Sequence, residues 1–201
     1  MKLYDFHYAP NPRKVRVYLA EKGLSIPLVP VNLMQGEQNA PAFLAKNPMG
    51  GLPVLELDDG TCLRESLAII EYLEELHPAP PMIGTTPLER AQVRAIERTA
   101  DLGLVGGVAR VFHNTLSVLP GREPNPEMAA IARRDLERPS RHLASLLGDG
   151  RAFLAGDRVT IADCTAFAAI EFARTGNLAI AWPDALAAWF DRFRERPSAA
   201  A

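Results

Sequence analysis

The sequence is poor in cysteine and contains no long apolar run. Its 201 residues include two cysteines, Cys62 and Cys164, which lie far apart in the chain. Neither belongs to a C-x-x-C pair or to a zinc-ligand spacing, so we expect reduced, buried thiols and no metal site. No 18 consecutive residues are apolar, and the N-terminus lacks the apolar core of a signal peptide. These absences predict a cytoplasmic protein without a membrane segment.

Net charge is also nearly absent. The formal charge of -2 gives no broad electrostatic basis for binding nucleic acid or an anionic membrane, so we expect neither partner. No internal repeat is present, and the only biased tract is the alanine-rich C-terminus. With 48% hydrophobic residues, a chain of this length can bury a good core in one or two domains.

The first eighty residues read as alternating strands and helices. Residues 2–6 alternate apolar and polar side chains, as a half-buried strand does. Asn11 is then a natural N-cap, with Pro12 at the first helical position and Gly23 ending the helix. A second strand at 28–31, a short helical segment at 41–46 and a ββα unit complete a β-α-β-α-β-β-α order. Periodicity alone leaves several arrangements of these elements open.

The stretch from residue 50 to residue 73 organises the rest of the chain. Apolar residues from Val54 predict a strand, and Asp59-Gly60 is a favoured two-residue hairpin signal. Pro53 opens the strand, which indicates a rigid turn or a cis peptide bond. After such a turn, we expect the backbone of Val54 to be available to an outside peptide. Ser66 is a good N-cap for the helix that follows.

A carboxylate adjoins the start of this helix. Glu65 lies beside the free N–H groups and the positive dipole end at Ser66. An amino-acid head group would match this pair, with its ammonium on Glu65 and its carboxylate on Ser66. The alternative is that Ser66 only caps the helix and that Glu65 is only solvated.

Clustered prolines and a glycine at residues 77–84 mark the clearest boundary. Residues 86–89 restart the chain as a capping box with proline at N1, and no convincing strand follows. We therefore predict an α/β domain over 1–78, a linker over 79–86 and an all-helical domain over 87–201.

The helical part contains several informative residues. Gly103, Gly106 and Gly107 fall in its first helix, each at a cost of roughly 1 kcal/mol, which suggests close packing or a bend. Pro139 should kink or break a later helix. Residues 160–163 form a second capping box, so Asp163 is interpreted as structural rather than catalytic.

These motifs together resemble the cytosolic glutathione transferase family. The residues that carry the resemblance are Leu52-Pro53-Val54 and Glu65-Ser66, with residues 36–50 upstream of them. Residues 153–163 are similar to the family's folding signature for a central buried helix. The resemblance spans nearly the whole chain, and it implies an N-terminal thioredoxin-like domain followed by a C-terminal helical bundle.

The family's chemistry implies a role for the loop after the first strand. There, glutathione is the nucleophile, and the protein stabilises its thiolate. The family's usual Ser, Cys or Thr aligns with Ala9, whose methyl group cannot hydrogen-bond sulfur. Asn11 remains as the candidate catalytic residue, because its amide can donate to a thiolate; the alternative is that it merely caps the helix. His7 and Tyr8 are nearby polar alternatives.

The resemblance also implies binding residues for glutathione, the expected co-substrate. We expect Gln38 to contact the glycyl carboxylate, and Gly51 stands where many members carry lysine or glutamine. Leu52, Pro53 and Val54 line the peptide. Glu65 and Ser66 hold the γ-glutamyl end.

Further expectations concern the small electrophilic partner molecule and the assembly. The residues expected to border the electrophile pocket are Tyr8, Met34, Phe112 and His113. Asp101 is placed like an acidic residue that reaches the neighbouring subunit's ligand in some dimeric classes; the alternative is an exposed helix carboxylate. We expect a homodimer, with the three glycines beside Asp101 permitting close helix approach. Residues Arg13, Lys14 and Arg16 read as a solvated basic face, although Arg13 is near enough to bias the site.

Two functional classes follow from these observations. The first is a glutathione transferase that conjugates or reduces small electrophiles, with glutathione-dependent reduction or isomerisation as variants. The second is a non-catalytic, glutathione-binding or regulatory relative. Ala9 favours the second class, whereas the intact Gln38, Pro53, Glu65 and Ser66 favour the first.

Overall fold

The N-terminal part of the chain forms a mixed four-stranded sheet with helices around it. The computed structural model describes residues 1–116 and 123–201. The elements follow in the order β1 (Lys2–Asp5), α1 (Pro10–Lys22), β2 (Leu28–Pro30), α2 (Pro41–Leu44), β3 (Val54–Glu56), β4 (Cys62–Arg64) and α3 (Ser66–Leu76). The strand order is β2-β1-β3-β4, parallel between β1 and β2 and antiparallel elsewhere. The predicted thioredoxin-like order βαβαββα is confirmed.

The β3–β4 hairpin has a longer loop than the sequence suggests. Glu56 is registered opposite Cys62, and the Leu57 N–H donates to the Thr61 carbonyl at 2.8 Å. Gly60 has a φ of +87°, and its N–H donates to the Leu57 carbonyl. The prediction of a two-residue turn at Asp59-Gly60 is therefore wrong, because the left-handed glycine ends a wider turn.

The rest of the described chain is helical. The helices are α4 (Pro87–Arg98), a π-helical segment (Thr99–Val105), α5 (Gly106–Thr115), α6 (Pro126–Leu146), α7 (Ile161–Thr175) and α8 (Asp184–Arg194). No strand occurs beyond α3 in the residues that the structure describes, so the all-helical prediction is confirmed. Of the two outcomes predicted at Pro139, a kink or a break, the break is wrong, because α6 runs through the proline. Leu136 and Leu143 are buried on either side of the proline and hold both halves on one core.

Two of the three helix glycines pack within the chain. A Cβ at Gly103 would lie 2.6 Å from Cβ of Pro139, and one at Gly107 would lie 2.5 Å from Cδ2 of Leu136. Gly106 has no atom closer than 3.7 Å to such a Cβ. Gly103 and Gly107 thus allow the π-helical segment and α5 to pack closely against α6 of the same chain. The glycines no longer support the predicted dimer contact.

Helix α7 lies at the centre of the helical part. Nearly all its residues are buried, and the Asp163 side chain is fully buried at its start. Oδ1 of Asp163 accepts the Leu154 N–H, and Oδ2 accepts the N–H and hydroxyl of Thr160, all at 2.9 Å. Burial raises the pKa of Asp163 to about 6, against the opposing effect of these donors. This geometry matches the structural role that we predicted for Asp163.

Helix α1 carries buried cations, so the prediction of a solvated basic face is wrong. Arg13, Lys14 and Arg16 are all buried, because α1 packs against α7, against α3 and against residues 197–200. Lys14 forms an ion pair with Asp101 and lies 3.8 Å from Glu97. Ion pairs compensate the loss of hydration that burial imposes on such charges.

The segment between α3 and α4 is tied to the core. Oε1 of Glu74 accepts the Met82 N–H at 2.6 Å, and its other oxygen lies 2.7 Å from Nζ of Lys22. The Lys22 ammonium also donates to the carbonyls of His77 and Pro80. The segment predicted as a linker is therefore anchored through a buried ion pair. Its exact bounds as a domain boundary stay a prediction.

We expect Gly103→Ala to destabilise the protein by about 1 to 3 kcal/mol. The added methyl group meets the rigid ring of Pro139, so backbone must shift to admit it. Gly106→Ala is the matched control, and should be neutral or stabilising by up to about 1 kcal/mol because its surroundings are open. Urea denaturation of both variants measures the difference. Equal stabilities would contradict the packing role of Gly103.

Candidate functional site

A cleft of about 780 Å³ opens between the sheet end and the helical part. One wall is formed by the loop after β1 and by residues 32–38 and 50–52. The facing wall is formed by the end of the π-helical segment, by α5 and by the C-terminal end of α7. The residues that line the cleft are Phe6, Tyr8, Ala9, Pro10, Asn11, Asn32, Leu33, Met34, Gln38, Gly50, Gly51, Leu52, Val105, Ala109, Phe112, His113, Phe172, Thr175 and Gly176.

Asn11 lines this cleft and does not cap α1. The helix begins at Pro10 with Ala9 at the N-cap position, so the prediction that Asn11 is the N-cap is wrong. Pro10 pre-sets the helical backbone one residue earlier than the pattern suggested. The side chain of Asn11 has no hydrogen-bond partner among the described residues.

The first turn of α1 offers few backbone donors. Pro10 and Pro12 have no N–H, and the Arg13 N–H donates to the Ala9 carbonyl at 3.2 Å. The Asn11 N–H is therefore the one donor of this turn that neither proline removes nor the helix uses. Asn11 therefore supplies both a side-chain amide and a backbone donor at the start of α1.

The segment before β3 is shaped by Asn47 and a cis bond. The buried Asn47 amide donates to the Gly51 carbonyl at 2.8 Å, and its oxygen accepts the Met49 N–H at 3.1 Å. The Leu52–Pro53 peptide bond is cis, one of the two outcomes that the sequence predicted. Val54 follows as the first residue of β3, registered opposite Tyr4 and Arg64.

Gln38 lies against this segment. It lines the cleft, and its Oε1 is buried without a hydrogen-bond partner in the part of the chain that the structure describes. A Cβ at Gly50, where φ is +63°, would lie 3.4 Å from the Gln38 carbonyl. A buried amide oxygen without a partner usually awaits a ligand donor or water.

Glu65 and Ser66 sit at the start of α3, one position earlier than predicted. Glu65 occupies the N-cap position and Ser66 is the first helical residue, so the prediction that Ser66 is the N-cap is wrong. Glu65 has a φ of +68°, a backbone state that costs a non-glycine residue about 1 to 3 kcal/mol. Neither side chain has a hydrogen-bond partner among the described residues. They lie outside the lining of the large cleft, as do Pro53 and Val54.

The second wall of the cleft is largely aromatic. The rings of Phe112 and Phe172 lie 4.8 Å apart, tilted by 39°. Tyr8 approaches from the opposite wall, with its ring 5.7 Å from that of Phe6. The expected pocket residues Tyr8, Met34, Phe112 and His113 do come together in one cleft.

Sequence reasoning missed the part of this wall that α7 supplies. Phe172, Thr175 and Gly176 lie at the C-terminal end of that helix, beside Phe112. Their apolar spacing indicated a buried helix, and no local signal distinguished the residues that face a cleft.

Asp101 is held by cations of its own chain. Its carboxylate pairs with Lys14 and lies 3.0 Å from Arg98, and its side chain is 20% exposed. It is therefore neither the freely exposed carboxylate nor an unpaired group awaiting a partner subunit. Burial raises the pKa of its neighbour Glu97, despite the nearby charge of Lys14.

Comparisons with known proteins agree with this architecture. The sequence profile "Glutathione S-transferase, N-terminal domain" matches residues 3–81, and "Glutathione S-transferase, C-terminal domain" matches residues 90–192. The chain belongs to the glutathione S-transferase family. The resemblance inferred from the motifs is thus confirmed.

Several members of the family are similar over the full chain. A glutathione S-transferase domain-containing protein from Marinobacter aquaeolei VT8 has a crystal structure that superposes with a TM-score of 0.90 at 39% identity, covering 98% of this chain and 99% of that one. Glutathione S-transferase 2 of Saccharomyces cerevisiae is 37% identical over 98% of this chain and 87% of its own length. A maleylacetoacetate isomerase of Pseudomonas aeruginosa is 43% identical over 57% of this chain and 52% of its own length.

Among residues 1–116 and 123–201, no helix is long and apolar enough to cross a membrane. Those same residues contain no group of three or more His, Cys, Asp or Glu side chains placed to hold a metal ion.

Proposed function

We propose that this chain is a glutathione transferase that holds the glutathione thiolate at Asn11. The observation that carries the proposal is the position of Asn11 at the cleft, with its amide and its N–H both uncommitted. Both groups are donors, and donors aimed at sulfur stabilise the charged form and lower a thiol pKa. Related proteins named as transferases and isomerases support glutathione-dependent chemistry of this kind.

We assign the rest of glutathione to the segment between residues 38 and 66. Gln38 lines the cleft, where its amide nitrogen can donate to the glycyl carboxylate, and the cis bond before Pro53 turns the chain next to Val54. Glu65 and Ser66 are uncommitted at the positive end of α3. The proposed order is the glycyl end at Gln38 in the cleft, the cysteinyl backbone at Leu52 to Val54 at its edge, and the γ-glutamyl end at Glu65 and Ser66 beyond its lining.

The electrophile class is proposed from the aromatic wall. Phe112 and Phe172 offer ring faces, and no lysine or arginine lines the cleft among the described residues. The nearest buried guanidiniums, Arg13 and Arg16, are engaged by Glu171 and Asp5. We therefore propose an uncharged aromatic electrophile, rather than a dicarboxylate such as the one in the isomerase's name.

A homodimer and a cytoplasmic location stay predictions from the family resemblance and the sequence. A cross-subunit role for Asp101 also stays a prediction, and it requires that the carboxylate serve a ligand while paired with Lys14. The chain mass of 21.9 kDa makes the oligomeric state readable by light scattering.

The γ-glutamyl assignment predicts that Glu65→Gln and Ser66→Ala each weaken glutathione binding roughly tenfold or more. Each change removes a hydrogen bond to a charged group, worth about 1.5 to 3 kcal/mol. Calorimetric titration with glutathione measures the change. Glu75→Gln, on the same helix, is the matched control and should bind as wild type does. Wild-type affinity in both site variants, with the fold intact, would place the site elsewhere.

The thiolate assignment predicts that Asn11→Ala raises the pKa of the bound thiol by about one to two units. Losing a donor to a charged acceptor costs about 1.5 to 3 kcal/mol, and one pKa unit corresponds to about 1.4 kcal/mol. Asn11→Asp should lower activity further, because it places a carboxylate beside sulfur. The thiolate absorbance of bound glutathione, followed against pH, measures the pKa.

Asn125→Ala is the control for the Asn11 variants. Asn125 caps α6, its Oδ1 accepting the Met128 N–H at 3.0 Å. Its loss should cost about 1 kcal/mol of stability and leave the thiol pKa unchanged. Asn11→Ala should raise the thiol pKa and leave stability unchanged, because Asn11 is not a cap. If wild type shows the pKa of free glutathione and neither Asn11 substitution moves it, the protein is a glutathione-binding relative without catalysis, as Ala9 suggested.

The electrophile proposal predicts a preference between two matched substrates. 1-Chloro-2,4-dinitrobenzene should be conjugated with a higher kcat/KM than its anionic analogue 4-chloro-3-nitrobenzoate. Phe112→Leu and Phe172→Leu should each raise the KM of the neutral substrate about 2- to 10-fold, because an aromatic contact is worth about 0.5 to 1.5 kcal/mol. Steady-state kinetics at saturating glutathione test this. A preference for the anion would overturn the proposed substrate class.

A further inference from the structure

Arg13 connects the loop after β1 to helix α7, and each of these elements supplies residues to the cleft. Its side chain is 7% exposed, and one terminal nitrogen donates to the His7 carbonyl at 3.4 Å. The other terminal nitrogen lies 3.4 Å from Oε1 of Glu171 in α7. The planar guanidinium therefore bridges the loop after β1 and helix α7 through two separate terminal nitrogens.

On the loop side, the contact holds the residues that approach sulfur. The His7 carbonyl also accepts from Arg16 at 2.8 Å, and the Ala9 N–H donates to the Phe6 carbonyl at 3.0 Å. The next residues along the chain are Tyr8 through Asn11, which line the cleft. The position of the proposed thiolate donor thus depends on where the His7 carbonyl is held.

On the α7 side, the contact holds the residues that face the second substrate. Glu171 immediately precedes Phe172, and its backbone carbonyl accepts the Thr175 hydroxyl at 2.9 Å. Phe172 and Thr175 both line the cleft. Glu171 thus belongs to the helix turn that carries this wall, and its carboxylate connects that turn to Arg13.

Charged neighbours maintain the pair. Glu171 also receives two hydrogen bonds from Arg174, at 2.6 and 2.8 Å, on the solvent side. Burial alone would raise the pKa of Glu171, but the hydrogen bonds from Arg174 and the charges of Arg174 and Arg13 lower it overall. The other charged groups that act on this pair are Asp5, Arg16 and Arg194. Nε of Arg13 is buried without a partner among the described residues, so the contacts at its two ends determine its position.

We propose that Arg13 and Glu171 form a positioning pair that sets the distance between the thiol loop and the second-substrate wall. The inference rests on the proposed function, since it takes the loop as the thiol side and α7 as the electrophile side. Neither residue contacts the expected glutathione positions at Gln38 or at residues 52–66. The pair should therefore affect ligands that span both walls and leave glutathione affinity unchanged.

The test compares two ligands, glutathione and S-(2,4-dinitrophenyl)glutathione, which carries an aromatic ring on sulfur. In Arg13→Gln and in Glu171→Gln we expect affinity for the conjugate to fall about tenfold, with glutathione affinity unchanged within about twofold. The double variant should lose no more than either single variant, because each already breaks the same contact. Isothermal titration gives both affinities without requiring turnover.

Arg174→Gln is the matched control. It removes a guanidinium from the same carboxylate, but Arg174 is 48% exposed and does not reach the loop. It should leave both affinities unchanged. An equal loss of conjugate affinity in Arg174→Gln, equal losses for both ligands in Arg13→Gln, or no loss at all would each overturn the positioning role.

Arg13→Lys covers the case in which Arg13→Gln does not fold. Lysine keeps a charge near Glu171 but replaces the two terminal nitrogens of a rigid plane by one nitrogen, so conjugate affinity should fall by an intermediate factor. Wild-type affinity in this variant would overturn the proposal. Failure of the proposed function would give a different result. Wild type would then bind both ligands, but the pKa of the bound glutathione thiol would equal that of free glutathione.

Discussion

The burial of a basic helix is the constraint on which the rest of the structure depends. Arg13, Lys14, Arg16 and Lys22 all project from α1 into regions closed to water. Their acidic partners are Glu171, Asp101 with Glu97, Asp5 and Glu74. Removing one partner of such a pair costs about 3 to 5 kcal/mol, so α1 has one acceptable position between the sheet and the helical part. The cleft at the N-terminal end of α1 takes its shape from that position.

In the proposed site, Asn11 takes the role that the family resemblance gives to a Ser, Cys or Thr at the position of Ala9. Ala9 provides only a backbone cap, and Pro10 and Pro12 remove two donors from the first helical turn. What remains is Asn11, whose side chain is released from capping because the helix begins one residue before it. Pro10 and Pro12 reduce the number of free N–H groups at the start of α1. They also fix the backbone on either side of Asn11, which positions its side-chain amide.

The two walls of the cleft differ in how they are built. The glutathione side comes from short segments held by local contacts, such as Asn47 to Gly51, and from the cis bond before Pro53. The second-substrate side comes from helices whose faces are decided by packing, with Phe112 against Phe172. In the proposed function, loops and backbone turns hold glutathione, whereas side chains on helices contact the second substrate.

The sequence by itself determined the element order, the family and the local motifs, because strand alternation, proline and glycine positions and capping boxes are short-range signals. The cis Pro53, the helix at Ser66 and the buried Asp163 all follow from such signals. Only the tertiary structure decided that α1 is buried, that Gly103 packs on Pro139, and that α7 forms a wall of the cleft. A sequence alone predicts that charged residues such as Arg13 are solvated. Burial of such a charge requires an ion-pair partner, and folding brings Glu171, which is distant in sequence, next to Arg13.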